Sequence, residues 1–197
     1  MLLKKSQIPI FIINAIYLLV AGIYYASRKN YEFIGYVGIV FLVLILILFT
    51  NKKMNYPNIV LWGLTLWGMM HMFGGVKIGE SVVYAKILIN IVGEPYFILR
   101  YDQLVHLIGF GVATLAMFVV LRLHLKFPIK KWTSISILII MAGLGVGALN
   151  EMIEFSTTIF VSETGVGDYV NTSLDLVADF FGAVLAMIYI RIKKGKI

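Results

Sequence analysis

Six stretches of this chain are dominated by apolar residues, and short polar breaks separate most of them. A helix crosses a bilayer with roughly 20 mostly apolar residues. Residues about 8–26, 32–50, 101–123, 132–156 and 171–192 meet that length. A sixth run, about 58–74, is slightly short but rich in Leu, Trp and Met. Lys52, Lys53 and Pro57 break the chain between the second and third runs, and Phe127-Pro128 with Lys130 and Lys131 breaks it between the fourth and fifth. Helices stop at such places. The pattern predicts an all-α integral membrane bundle of about six transmembrane helices in one multi-pass domain spanning 1–197.

The segment from Gly75 to Arg100 departs from the pattern. It carries Lys77, Glu80, Lys86, Glu94 and Pro95, and its best apolar run, Val82 to Val92, is too short to span. It reads as an ordered loop, either an interfacial helix or a hairpin lying on the membrane. Thr157 to Val170, with Glu163, Gly165, Gly167 and Asp168, reads as a second polar loop. Met1 to Lys5 ahead of an apolar run looks superficially like a signal peptide. No small-residue cleavage site follows, so an uncleaved first helix is expected.

Composition agrees with lipid as the solvent. Of the 197 residues, 60% are hydrophobic, and the mean hydropathy is +0.93. Soluble domains average about 45–50% apolar residues and about 25% charged ones, whereas only 14% are charged here. Intrinsic disorder is excluded on the same grounds. The formal charge of +7 does not point to nucleic acid, because the cations sit in short clusters between apolar runs. They read as topology signals that face anionic lipid. With six spans, one side of the membrane receives twelve Lys and Arg residues and the other five. The basic side holds both termini and is expected to be cytoplasmic. The chain has no cysteine, which excludes thiolate metal sites and a cysteine nucleophile.

The acids follow the opposite rule. All Asp and Glu residues fall on the less basic side or in the adjoining halves of helices. On the fourth helix Asp102 and His106 stand i, i+4 and share a face. On the fifth, Glu151 and Glu154 stand i, i+3. On the sixth, Asn171, Asp175 and Asp179 stand i, i+4, i+8. At about 1.5 Å per residue, His71, His106, Glu151 and Asp179 lie roughly 5–12 Å below their helix ends. Gly109 and Ala113 share the His106 face, Gly143 and Gly147 precede Glu151, and Gly182 follows Asp179. Small residues let helices approach closely. A pocket lined by acids and histidine, open to the outside, is the expected result.

An intramembrane charge costs about 2.5–3.5 kcal/mol on insertion scales and is a functional hypothesis by default. Only Lys86 and Arg100 are obvious basic neighbours. Protonation, histidine pairing or a divalent metal would each offset the acids. Carboxylates with imidazole suit Zn, Mn or Fe. Asp102, His106, Glu151 and Asp175 are the expected metal ligands, with Glu154 or Asp179 as the base for a metal-bound water. Structural readings stand beside these. Asp102 could cap its helix, Glu154 could reach for water, and His106 could bond a neighbouring helix. His71, with no partner on its own helix, reads as a core residue, and His124 as interfacial. Met69, Met70 and Met72 read as packing, and Gly74-Gly75 as a helix end.

The pattern Tyr101-Asp102-x-x-x-His106, Glu151-x-x-Glu154, Gly167-Asp168 and Asn171-Thr172-Ser173-x-Asp175 resembles the YjdF-type family of uncharacterised bacterial inner-membrane proteins, over about residues 58–192. Asp175-x-x-x-Asp179-x-x-Gly182 also resembles the VanZ-like family, more distantly. The chain differs from the first pattern at Gln103, Leu107 and Phe155, and from the second at Glu154 and Asp179. The VanZ-like resemblance implies a cell-envelope role.

Three functions follow as expectations for a multi-pass protein of the cell membrane. One is a metal-dependent hydrolase acting on a lipid or envelope substrate. Another is a non-catalytic envelope protein whose polar cluster binds a ligand or fixes packing. The third is a small ion- or proton-coupled transporter. Membrane lipids are the expected partners, and nucleic acid is not.

Overall fold

The computed structural model describes residues 3–162 and 164–197. Glu163, which the sequence places in the polar loop, and the first two residues lie outside the described residues. Six long helices form the bundle: α1 (Ile8–Ser27), α2 (Tyr31–Met54), α3 (Asn58–Gly74), α4 (Tyr101–Leu121), α5 (Trp132–Phe160) and α6 (Tyr169–Ile192). All but α3 are long and apolar enough to cross a membrane. Their outward faces carry exposed residues such as Leu19, Leu42, Leu138 and Leu185. These helices are apolar both inward and outward, as lipid-solvated helices must be.

Local chemistry sets the helix ends. The Asn30 side chain accepts the Phe33 N–H at the start of α2, and Asp168 accepts the Asn171 N–H at the start of α6, so each occupies an N-cap. The α2 helix runs past the expected residue 50 to Met54, with Lys52 and Lys53 in its last turn and Asn55 left-handed at φ 53°. Cations at a helix C-terminus complement its dipole, and Asn tolerates the left-handed cap. The α5 helix runs past residue 156 to Phe160. Ser156, Thr157 and Thr158 each donate a hydroxyl to a carbonyl three or four residues back, so these polar residues are satisfied inside the helix.

Both termini lie at one end of the bundle. Gln7 is fully buried there and donates to the Tyr56 carbonyl at 3.0 Å. Arg122, just after α4, donates to the Ile197 carbonyl at 2.6 Å and the Asn55 carbonyl at 3.1 Å. An apolar core that includes Val60, Phe118, Val119, Ile139 and Ile190 fills this half. A second, more aromatic core around Tyr25, Phe33, Tyr36 and Met72 fills the distal half of α1–α3.

The distal segment between α3 and α4 forms two antiparallel hairpins. Lys77–Ile78 (β1) pairs with Ser81–Val82 (β2), and Ile87–Val92 (β3) pairs with Ile98–Arg100 (β4). A 3-10 turn at Val83–Ala85 joins them and buries Val83. Gln103 ties the second hairpin to α4. Its side-chain oxygen accepts the Leu99 N–H at 2.7 Å and the Arg100 N–H at 3.2 Å.

The closest helix pair is α4 against α6. A Cβ on Gly182 would collide with the Leu107 carbonyl oxygen and stand 2.9 Å from the Gly111 nitrogen. Only glycine permits that approach of backbone to backbone. It sets the rotation of α6 that turns Asp175 and Asp179 toward α4.

Candidate functional site

His106 is the hub of the distal half. It stands on α4 with 4% of its surface exposed. Asp179, fully buried on α6, places Oδ1 2.9 Å from His106 Nδ1. When Nδ1 donates to that carboxylate, the neutral ring keeps its lone pair on Nε2. Nε2 faces Asp102 Oδ1 at 3.8 Å and Glu151 Oε1 at 3.7 Å. One ring therefore meets carboxylates from α4, α5 and α6.

Two sets of three side chains share this histidine. Asp102, His106 and Asp175 form one, and His106, Glu151 and Glu154 the other. In each, one ligand atom per residue lies within 4.8 Å of the other two. Asn171 bridges α4 and α6, donating to Asp102 Oδ2 at 3.1 Å and Asp175 Oδ2 at 2.5 Å. Asn150 donates to Glu154 Oε1 at 2.7 Å. These amides hold carboxylates in place without supplying positive charge. Among the described residues no Lys or Arg lies within ion-pair distance of a carboxylate. Lys86 and Arg100, the expected basic neighbours, do not reach the acids, and Arg100 lies over the Phe97 ring at 5.4 Å.

Three buried oxygens in this cluster have no hydrogen-bond partner: Glu151 Oε1, Asp175 Oδ1 and Asp179 Oδ2. Buried polar atoms are nearly always satisfied, and an orphaned one costs about 1–3 kcal/mol or more when charged. Three together mark a place where a proton or cation belongs. Gly147 admits the Asp179 carboxylate, whose Oδ2 occupies the space a Cβ would need.

The structure thus gathers all six expected site residues. Asp179 differs from the expected base in its surroundings, since one oxygen is engaged by the imidazole and the residue is sealed from solvent. His71 stays outside both sets. It lies in an aromatic box, stacked on Trp67 at 5.5 Å, with its Nδ1 bonded to the Tyr84 hydroxyl. Burial pushes the Tyr84 phenol well above its usual pKa, so it remains neutral.

One contributor escaped the sequence, and another was legible only in part. Glu32, in the first turn of α2, accepts the Gly165 N–H at 2.8 Å and pins the α5–α6 loop. An acid at a helix start is so ordinary that nothing marked it. Asn171 had a legible i, i+4 relation to Asp175, but its bond to Asp102 needed the fold.

The arrangement defines a class: a helical membrane bundle with a buried carboxylate–histidine cluster in the half away from its termini. The chain belongs to the family described as predicted membrane protein (DUF2238), whose model matches residues 7–196. That match takes in α1 and α2, beyond the stretch over which the motifs resemble YjdF-type proteins, and lends nothing to the VanZ-like resemblance. No curated protein and no solved structure matches the chain.

Proposed function

We propose that the α4–α6 cluster is a divalent-cation centre and that the protein uses it for hydrolysis at the outer leaflet of the cell membrane. The orphaned carboxylate oxygens around His106, among them Glu151 Oε1 at 3.7 Å from Nε2, carry this reading. Five carboxylates meet one imidazole with no basic residue to balance them. A dication offsets part of that charge and gives the orphaned oxygens of Glu151 and Asp175 a partner. Asp102, His106, Glu151 and Asp175 supply the ligands, a set suited to Zn, Mn or Fe. Asp179 holds the imidazole in its ligating tautomer.

A cation held by these residues would supply a water acidic enough to ionise near neutral pH. Glu154, half-buried and adjoining that set, accepts the proton of that water. The reaction this would serve is hydrolysis of an ester of a lipid or envelope substrate, with Glu154 placed to hold the water's proton and return it to the leaving ester oxygen. With the basic termini cytoplasmic, the centre lies in the outer half of the bundle. Beneath it Phe118, Val119, Ile139 and Ile190 fill the bundle with apolar side chains. The polar side chains buried between the cluster and the termini, among them Asn14, Thr65 and Thr114, bond one another or nearby carbonyls rather than the cluster among the described residues, which weighs against transport.

The test is elemental analysis of the detergent-purified chain after exposure to Zn, Mn or Fe and removal of excess ion. About one or two tightly held cations per chain are expected, with a loss of at least half in Glu151→Gln and Asp175→Asn and no change in His124→Ala. Only trace cation in the folded wild type would end this reading.

A further inference from the structure

On the side of the bundle formed by α1 and α3, an apolar groove of about 690 Å³ runs along the distal half. Val20, Tyr24, Leu66, Met69 and Phe73 line much of it. A second cavity, about 520 Å³ and far more polar, is lined by Arg28, Lys29 and Lys77 together with Thr164 and Gly165. The two adjoin. Arg28 follows Tyr24 by one turn of α1, and Lys77 follows Val76, which lines the groove. The Tyr25 and Phe33 rings, stacked at 4.7 Å, form the partition, one facing each space.

The Arg28 guanidinium lies 5.1 Å from the Tyr24 ring centroid, so a cation stands on the rim of the groove. Lys77 is fixed beside Val82 by the β1–β2 pairing, and Val82 lines the same cavity. Among the described residues, none of the three cations lies within ion-pair distance of a carboxylate. Glu32, the acid in the cavity wall, is engaged by the Gly165 N–H.

We propose that this composite site binds one anionic phospholipid, its acyl chain in the groove and its phosphate between Arg28 and Lys77. The groove runs along the membrane-spanning helix α1 and is lined by apolar and aromatic side chains, so it suits an acyl chain. The cations at its distal rim match a headgroup phosphate by charge and position. A zwitterionic lipid offers the same chain with no net charge, and a free phosphate offers the charge with no chain. The site is separate from the carboxylate cluster and does not depend on a cation being bound there.

Native mass spectrometry of the delipidated, detergent-solubilised full chain tests this with three probes: dioleoylphosphatidylglycerol, dioleoylphosphatidylcholine and inorganic phosphate. The wild type is expected to retain one phosphatidylglycerol at least ten-fold more strongly than phosphatidylcholine. The Arg28→Gln, Lys77→Gln pair should abolish that preference, Arg28→Lys should largely keep it, and Val20→Trp should weaken retention by filling the groove. Both cations are exposed, so neither substitution disturbs the core, and metal content should stay unchanged. Equal retention of the two lipids, or a preference surviving in the double variant, overturns the proposal. Phosphate binding as tightly as the lipid, with Val20→Trp without effect, overturns it in favour of a simple anion site.

Discussion

At the scale of single residues, the pair that matters most is His106 and Asp179. The carboxylate is fully buried and 2.9 Å from Nδ1, so the ring is fixed in rotation and in tautomer. Asp179→Asn keeps the shape but replaces a charged acceptor with an amide, which raises no ring basicity. Losing such a supporting carboxylate typically costs 10–100-fold in metal affinity, and a loss in that range is expected in a competition titration against a chelator of known affinity. An unchanged affinity would assign Asp179 to packing alone. The same scale explains Gly74-Gly75. The Tyr84 ring fills the space beside Gly74 and the Phe33 ring the space beside Gly75. The pair is therefore more than a helix end, because it admits the aromatic box around His71.

At the scale of elements, the α4–α6 contact governs the site. Gly182 presses on the backbone of Leu107 and Gly111, and backbone cannot swing aside as a side-chain tip can. Gly182→Ala is expected to cost about 1–3 kcal/mol, the usual range for overpacking, read as a lowered denaturation midpoint in micelles. Gly145, on the open side of α5, provides the control, because a Cβ there would meet nothing within 4 Å. Gly145→Ala should be neutral or slightly stabilising, since alanine favours helix. Equal responses would mean that α4 and α6 do not depend on this approach. The hairpins β1–β2 and β3–β4 belong to this scale too. Lys86, Glu94 and Pro95 were enough to exclude a span, yet the choice between interfacial helix and hairpin rested on the pairing of residues such as Ile87 with Arg100.

At the scale of the whole molecule, the termini, the α2–α3 turn and the α4–α5 connection meet at one end through Gln7 and Arg122. The absence of cysteine makes sidedness directly measurable. A single cysteine at Asp168 should react with an impermeant thiol reagent applied to intact cells, and one at Lys130 only after permeabilisation. The reverse pattern would place the carboxylate cluster on the cytoplasmic side and remove the outer-leaflet substrate with it.

The linear chain was sufficient for the number of long helices, the approximate ends of each, and the confinement of acids to one half. Those properties depend on hydrophobic run length, capping residues and the 3.6-residue repeat, which are local. Spacing also showed that Asp102 shares a face with His106, and Glu151 with Glu154. It could not show which way each face turns, because the rotation of one helix against another is decided by packing, here by Gly182 against Leu107 and Gly147 against Asp179. Only the assembled bundle put Asp179 on the far nitrogen of His106, drew Asn171 between two carboxylates, and tied Glu32 to a loop more than a hundred residues away. Such contacts join positions with no shared periodicity, so no local pattern could have announced them.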